Sequence, residues 1–380
     1  MSPTTTAIPA AHAPEPQITP LTALRFFAAL WVVLYHYWPN LQADATPAIA
    51  AKGYLGVEMF FVLSGFVISY VYQPQVEADR FRYGAFLWAR VARIYPLHLA
   101  TLAAVAAMGL AAAAVGVQVA AEVFDLRSLP ANLLMIHAWG FAPTAAFNHP
   151  SWSISAEWFA YLTFPAFAAV AIRLSGRPWL ALAGAVALVF ALYAGFERAA
   201  GFPLTEATIA WGALRIVPCF ALGCAVHLLW RSLAPVSRAT AWAIASISAA
   251  VLLGLVAAGA PDAALTVSFG GLIFGLAMIW RAQPAQAQDG PIARSLAYLG
   301  EISYSTYMIC IPWKLVFVNV ANRLTGSETD QMPLALWLVF ILSLVPLSAA
   351  SHHLLERPAR RWLKAHAPVR RRGATLQPVG

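Results

Sequence analysis

Polar positions along this chain are few and come in clusters, with long apolar windows between them. An α-helix needs about 20 apolar residues to cross a hydrocarbon core of about 30 Å. Ten windows approach that length, near 20–38, 54–72, 97–117, 152–172, 179–196, 209–230, 240–259, 263–280, 297–318 and 333–354. An eleventh stretch, 131–147, is shorter and holds His137, Gly140 and Pro143, with Asn148 just beyond it. The pattern predicts an all-α membrane protein with about ten transmembrane helices. Residues 1–18 are rich in Pro, Thr and Ala and lack the basic start of a cleavable signal peptide, so they read as a disordered tail. Residues 19–363 then form the transmembrane domain and 364–380 a basic cytoplasmic tail. No internal duplication and no second soluble domain is visible.

Composition supports the membrane reading and charge gives it a direction. Of the 380 residues 61% are hydrophobic and 11% charged, against about 25% charged in an ordinary soluble domain. That excludes a cytosolic enzyme, a disordered chain and a fibrous protein. The 24 Lys and Arg against 16 Asp and Glu leave a net charge of +8. With the N-terminus cytoplasmic and 131–147 not crossing, seventeen of the 24 cations fall in cytoplasmic segments. Four (Lys52, Arg127, Arg198, Arg323) fall outside and three (Arg25, Arg215, Lys314) within spans. A crossing at 131–147 would invert every later loop and destroy this bias. The expectation is therefore ten spans, both termini cytoplasmic, and a re-entrant or surface helix at 131–147 on the outer side. The three cysteines, Cys219, Cys224 and Cys310, lie in apolar runs and read as buried thiols. No Cys/His spacing suggests a metal site, so no metal is expected. The absence of a phosphate-binding loop or dinucleotide fingerprint argues against a primary pump.

Ionisable groups inside spans are costly, and each is a functional candidate. Arg25 and His36 of the first span are eleven residues apart, about 20° past three full turns and about 16 Å of rise, so they share one stripe. Glu58 and Glu157 sit about a turn inside the outer ends of the second and fourth spans, at a depth similar to His36. A histidine held by a carboxylate is a usual general base, and either glutamate could supply the carboxylate. Arg215 and Lys314 are positioned to neutralise the other. On the inner side Arg90 and Arg93 are three apart on one helical face. Ordinary positive-inside topology accounts for such a pair, but guanidinium groups also match phosphate bidentately. HHLLERPARRW adds Glu356 and Arg357 at the same membrane face, where Glu356 would orient an arginine such as Arg25 or Arg357.

Taken together, the blocks LTALRFFAALWVVLYHY, GYLGVEMFFVLSGFVISYVY, FLWARVARIYPLHL, NHPSWSISAEWFAYLTFP, YLGEISYSTYMICIP and HHLLERPARRWL resemble the acyltransferase-3 family of integral membrane acyltransferases. They run in family order from residue 21 to residue 363. The resemblance implies ten spans and transfer of an acyl group, usually acetyl, from cytoplasmic acyl-CoA to a hydroxyl of an exported carbohydrate or glycoconjugate. It implies location in the bacterial cytoplasmic (inner) membrane and no nucleic-acid partner. The family's essential first-span arginine and histidine match Arg25 and His36, and its donor-associated R-x-x-R pair matches Arg90 and Arg93. Its acidic positions match Glu58 and Glu157, with Ile154 in place of the usual leucine, and its late E-x-P-like block matches Glu356 and Pro358.

Arg25, Arg90 and Arg93, with Glu356 and Arg357, are accordingly expected to bind the donor, acetyl-CoA. His36, with Glu58 and Glu157, is expected to catalyse, by deprotonating the acceptor or through an acyl-histidine. Asn148, Ser151 and Trp152 are the oxyanion or acceptor candidates. Some family members carry a C-terminal SGNH-type domain, and a mechanism that needs one is expected to use a separate periplasmic partner protein. The competing expectation is a proton-coupled transporter or flippase of a glycan or lipid-linked sugar, using the same intramembrane groups.

Overall fold

The computed structural model describes residues 17–114, 121–283 and 290–367. The expected disordered tail and basic tail fall almost wholly outside the described residues. The helices are α1 (Thr19–Tyr37), α2 (Ala48–Ala51), α3 (Gly56–Glu77), α4 (Tyr83–Ala114), α5 (Leu129–Leu133), α6 (Trp152–Arg173) and α7 (Pro178–Ala200). They continue with α8 (Gly212–Ser232), α9 (Arg238–Ala257), α10 (Asp262–Arg281), α11 (Pro291–Glu301), α12 (Ser303–Thr325), α13 (Leu334–Ser351) and α14 (Arg357–Ala365). Among the described residues there is no β-sheet, only one bridge between Leu41 and Met332.

Among the described residues nine helices are long and apolar enough to cross a membrane, and they match nine of the ten expected windows. The remaining window, 297–318, is broken. A short amphipathic α11 ends at Glu301, and the 23-residue α12 starts two residues later. Lys314, Asn319, Asn322 and Arg323 make α12 too polar for a lipid-facing span. Protein covers its inner side instead. Cys310 O accepts from the Tyr37 hydroxyl at 2.7 Å, Tyr304 donates to Ile94 O at 2.6 Å, and the Trp313 indole donates to Ser343 Oγ at 2.9 Å.

The stretch 131–147 is not one helix. The five-residue α5 gives way at Met135 (φ 54°) to a 3-10 turn over His137–Trp139, and Gly140 (φ 86°) ends that turn. Positive φ at these two residues breaks the helical repeat, and Pro143 follows within three residues of the second. Arg90 and Arg93, which precede the expected window 97–117, belong to the same helix as that window. α4 runs unbroken through Pro96 for 32 residues, about 48 Å, so Arg90 and Arg93 are carried into the bundle.

Buried faces show how the bundle is built. α3 and α8 lie at its centre, and α9 and α13 at its edge present exposed Ile247, Leu253, Val339 and Leu342, as a lipid-facing surface requires. A Cβ on Gly65 would enter the backbone of Phe220, and one on Gly223 that of Val62. The two central helices therefore touch backbone to backbone, the small-residue contact of membrane interiors. Gly300 of α11 meets Thr22 of α1 in the same way, one turn before Arg25.

Candidate functional site

Helices α1, α3, α4, α6 and α12 enclose a cavity of about 100 Å³. Its lining on α3 runs from Val57 to Ile68, eleven residues or about 16 Å of helix. Three guanidiniums enter it: Arg25 from α1, and Arg90 and Arg93 from α4. Arg90 donates to the Tyr72 hydroxyl at 3.0 Å and lies over the rings of Tyr72, Phe86 and Tyr161 at 5.4, 5.9 and 5.8 Å. These planar contacts suit arginine and hold it in place. Arg25 and Arg93 have no hydrogen-bond or ion-pair partner among the described residues. Among the described residues Glu157 is the only acidic one in the lining. Its Oε1 accepts from Ser64 Oγ at 2.8 Å and from the Tyr161 hydroxyl. Three cations against one carboxylate, in a partly buried site, make a receptor for an anionic ligand.

His36 lies outside this cavity. Lys314 Nζ donates to its backbone oxygen at 2.8 Å, the Tyr35 ring packs at 5.1 Å, and His149 and Lys314 are the ionisable groups near enough to act on its imidazole. The last cavity-lining residue on α12 is Tyr307, seven residues before Lys314 and so about 10 Å short of it. Arg25 and His36 thus mark two compartments along one helix. Tyr307, edge-on to Phe60 at 6.2 Å and donating to Pro150 O at 3.1 Å, stands at the outer end of the first.

The expected histidine–carboxylate pair does not form with either glutamate. Glu58 is fully buried on the α8 face of α3, and Arg215 Nε donates to its Oε1 at 2.5 Å. Arg215 also donates to Ala207 O at 2.9 Å and lies over the Trp152 ring at 4.5 Å, which occupies its donors and its flat face. Of the two neutralising cations expected, Arg215 takes a carboxylate, while Lys314 takes the His36 carbonyl. Glu157 belongs to the arginine cavity.

The remaining candidates lie close to the cavity without lining it. Asn148 Nδ2 donates to Met308 O at 2.9 Å, and Ser151 Oγ bonds His137 Nε2 at 3.1 Å. Burial holds His137 down to about 3, far below the usual imidazole range, with nearby His98 adding to the shift. The neutral ring stacks on His98 at 5.7 Å. Trp152 packs between Arg215 and Phe61, leaving Ser153 and Ile154 as the residues of that block that reach the cavity.

Glu356, in a π-turn over His352–Glu356, accepts from Ser305 Oγ at 3.1 Å and bonds His352 Nδ1 at 3.0 Å. It does not meet Arg25, but it backs the wall that carries Tyr304. Arg357 is exposed at the start of α14 and away from the cavity. Sequence reasoning passed over Ser64, Tyr72, Tyr161, Tyr304 and Tyr307. Tyr161 had a readable signal, since it follows Glu157 by four residues and so shares its helical face.

Comparison with known proteins bears on what this arrangement does. The chain is 30% identical over 386 aligned positions to a protein named acyltransferase MdmB from Streptomyces mycarofaciens, an alignment covering 92% of this chain and 93% of that one. It is 36% identical over 96 residues to protein 2 in the picA locus of Rhizobium radiobacter, covering 25% of this chain and 48% of that protein. No solved structure matches it. The acyltransferase-3 family model, described as an acyltransferase domain, matches residues 19–353, which include the whole arginine cavity and His36. This multi-pass membrane protein belongs to the acyltransferase-3 family and is an acyltransferase.

Proposed function

We propose that the protein moves an acetyl group from cytoplasmic acetyl-CoA to a hydroxyl of an exported or surface carbohydrate, across the bacterial inner membrane. The observation that carries this reading is the convergence of Arg25, Arg90 and Arg93 on one cavity with a single opposing carboxylate. Phosphates of a CoA nucleotide supply the charge that such a site lacks. In this reading both termini and the arginine end of the bundle face the cytoplasm. The pantetheine arm extends along the cavity, and its thioester passes Tyr307 to approach His36.

His36 takes the acceptor hydroxyl proton as the oxygen attacks the thioester carbonyl. A C–O bond forms, the C–S bond breaks, and the CoA thiolate leaves. Its ring has no hydrogen-bond partner among the described residues, which leaves a nitrogen available for that proton.

Mass spectrometry of surface glycans tests the activity. Cells carrying the wild-type chain should show an acetyl ester that is absent from a deletion strain and from a His36→Ala strain. Identical glycans in all three would overturn the reading.

A further inference from the structure

We infer that Glu157 is the resident counter-anion of the arginine cavity, a fixed negative charge that the donor's phosphates must outcompete. This deepens the donor-site reading above and rests on it. The geometry separates Glu157 from the base, because it shares a cavity with three arginines while His36 lies beyond Tyr307. Both hydrogen bonds to Glu157 fall on Oε1, from Ser64 of α3 and from Tyr161 of its own helix. Oε2 takes no hydrogen bond among the described residues and is not sealed off from solvent. The carboxylate is therefore anchored on one oxygen and free on the other. Arg25 and Arg93, the cavity cations without hydrogen-bond or ion-pair partners among the described residues, arrive from α1 and α4 on other walls of the same cavity. Arg25 is close enough to feel the Glu157 charge.

Such an arrangement has a use in turnover. Acyl-CoA and spent CoA carry the same phosphates, so three unopposed arginines would bind substrate and product equally tightly. Uniform tight binding of that kind slows release and does nothing for the chemical step. A built-in anion weakens both equally and lets CoA leave. It also neutralises part of the buried positive charge when the cavity is empty. Glu157 is thus a positioning and affinity-setting residue, and no proton passes through it.

The test titrates CoA, with phosphate-free pantetheine as control, into the purified full-length protein in detergent by calorimetry. Wild type should bind CoA more tightly than pantetheine. Glu157→Gln should bind CoA about tenfold tighter than wild type, with pantetheine affinity unchanged. Glu157→Asp keeps the charge and should retain wild-type CoA affinity. In turnover, Glu157→Gln should lower the acetyl-CoA KM and kcat together. If Glu157→Gln fails to accumulate, Glu157→Ala carries the same expectation. CoA affinity that is unchanged or weaker without the carboxylate overturns the inference and leaves the donor site standing. Equal wild-type affinity for CoA and pantetheine removes the donor site, and this inference with it.

Discussion

Glu58 and Arg215 are 0% and 2% exposed, and their ion pair joins the two central helices. Removing one member of a buried pair strands the other charge and costs about 3–5 kcal/mol, whereas replacing both by apolar groups of similar volume is often neutral. Glu58→Gln should therefore lower the thermal unfolding temperature in detergent, and adding Arg215→Met should recover most of the loss. A double variant no more stable than the single one would contradict a structural role for the pair. At this scale the sequence was partly readable. Arg25 and His36 share a stripe because a helical repeat places them there. Arg90 and Arg93 share one for the same reason. The partner of Glu58 is 157 residues away along the chain, and helical periodicity carries no information on a contact at that distance. Depth alone suggested His36 as its partner, since a one-dimensional reading of depth has no azimuth around the bundle.

Elements were more legible than contacts. Among the described residues nine apolar windows became helices long and apolar enough to cross a membrane, because length and hydropathy are local properties that the bilayer reads directly. The failures lie where tertiary packing overrides the local signal. α12 turns Lys314 onto the His36 carbonyl of α1 and leaves Asn319 and Arg323 exposed, and 131–147 folds into turns. Close helix approach is also testable at this scale. Gly223 faces the Val62 carbonyl with no room for a side chain, so Gly223→Val must push α8 from α3. Overpacking of this kind costs about 1–3 kcal/mol or more. The expected result is reduced yield and earlier thermal unfolding, while the same change at Gly184, which has open space around it, should have little effect. Equal behaviour of the two variants would contradict the packing.

Over the whole molecule, the net charge of +8 resolves into sidedness and a site. In the proposed topology most cations are cytoplasmic, and Arg25, Arg90 and Arg93 line the cavity. The proposed sidedness predicts that a reporter fused after residue 367 is active only as a cytoplasmic reporter, and a periplasmic reporter active at that position would overturn the proposed topology. The central claim is a division of labour along α1, with the donor held at the arginine end and the base at the histidine end. Its most direct measurement is labelled acetyl transfer from acetyl-CoA to endogenous glycan in membrane vesicles, comparing Arg93→Ala and His36→Ala with wild type. Arg93→Ala should raise the donor KM about tenfold with kcat within a few-fold. His36→Ala should lower kcat about 10²- to 10⁴-fold with the donor KM little changed. Wild-type turnover by His36→Ala, or an unchanged donor KM in Arg93→Ala, would contradict the account.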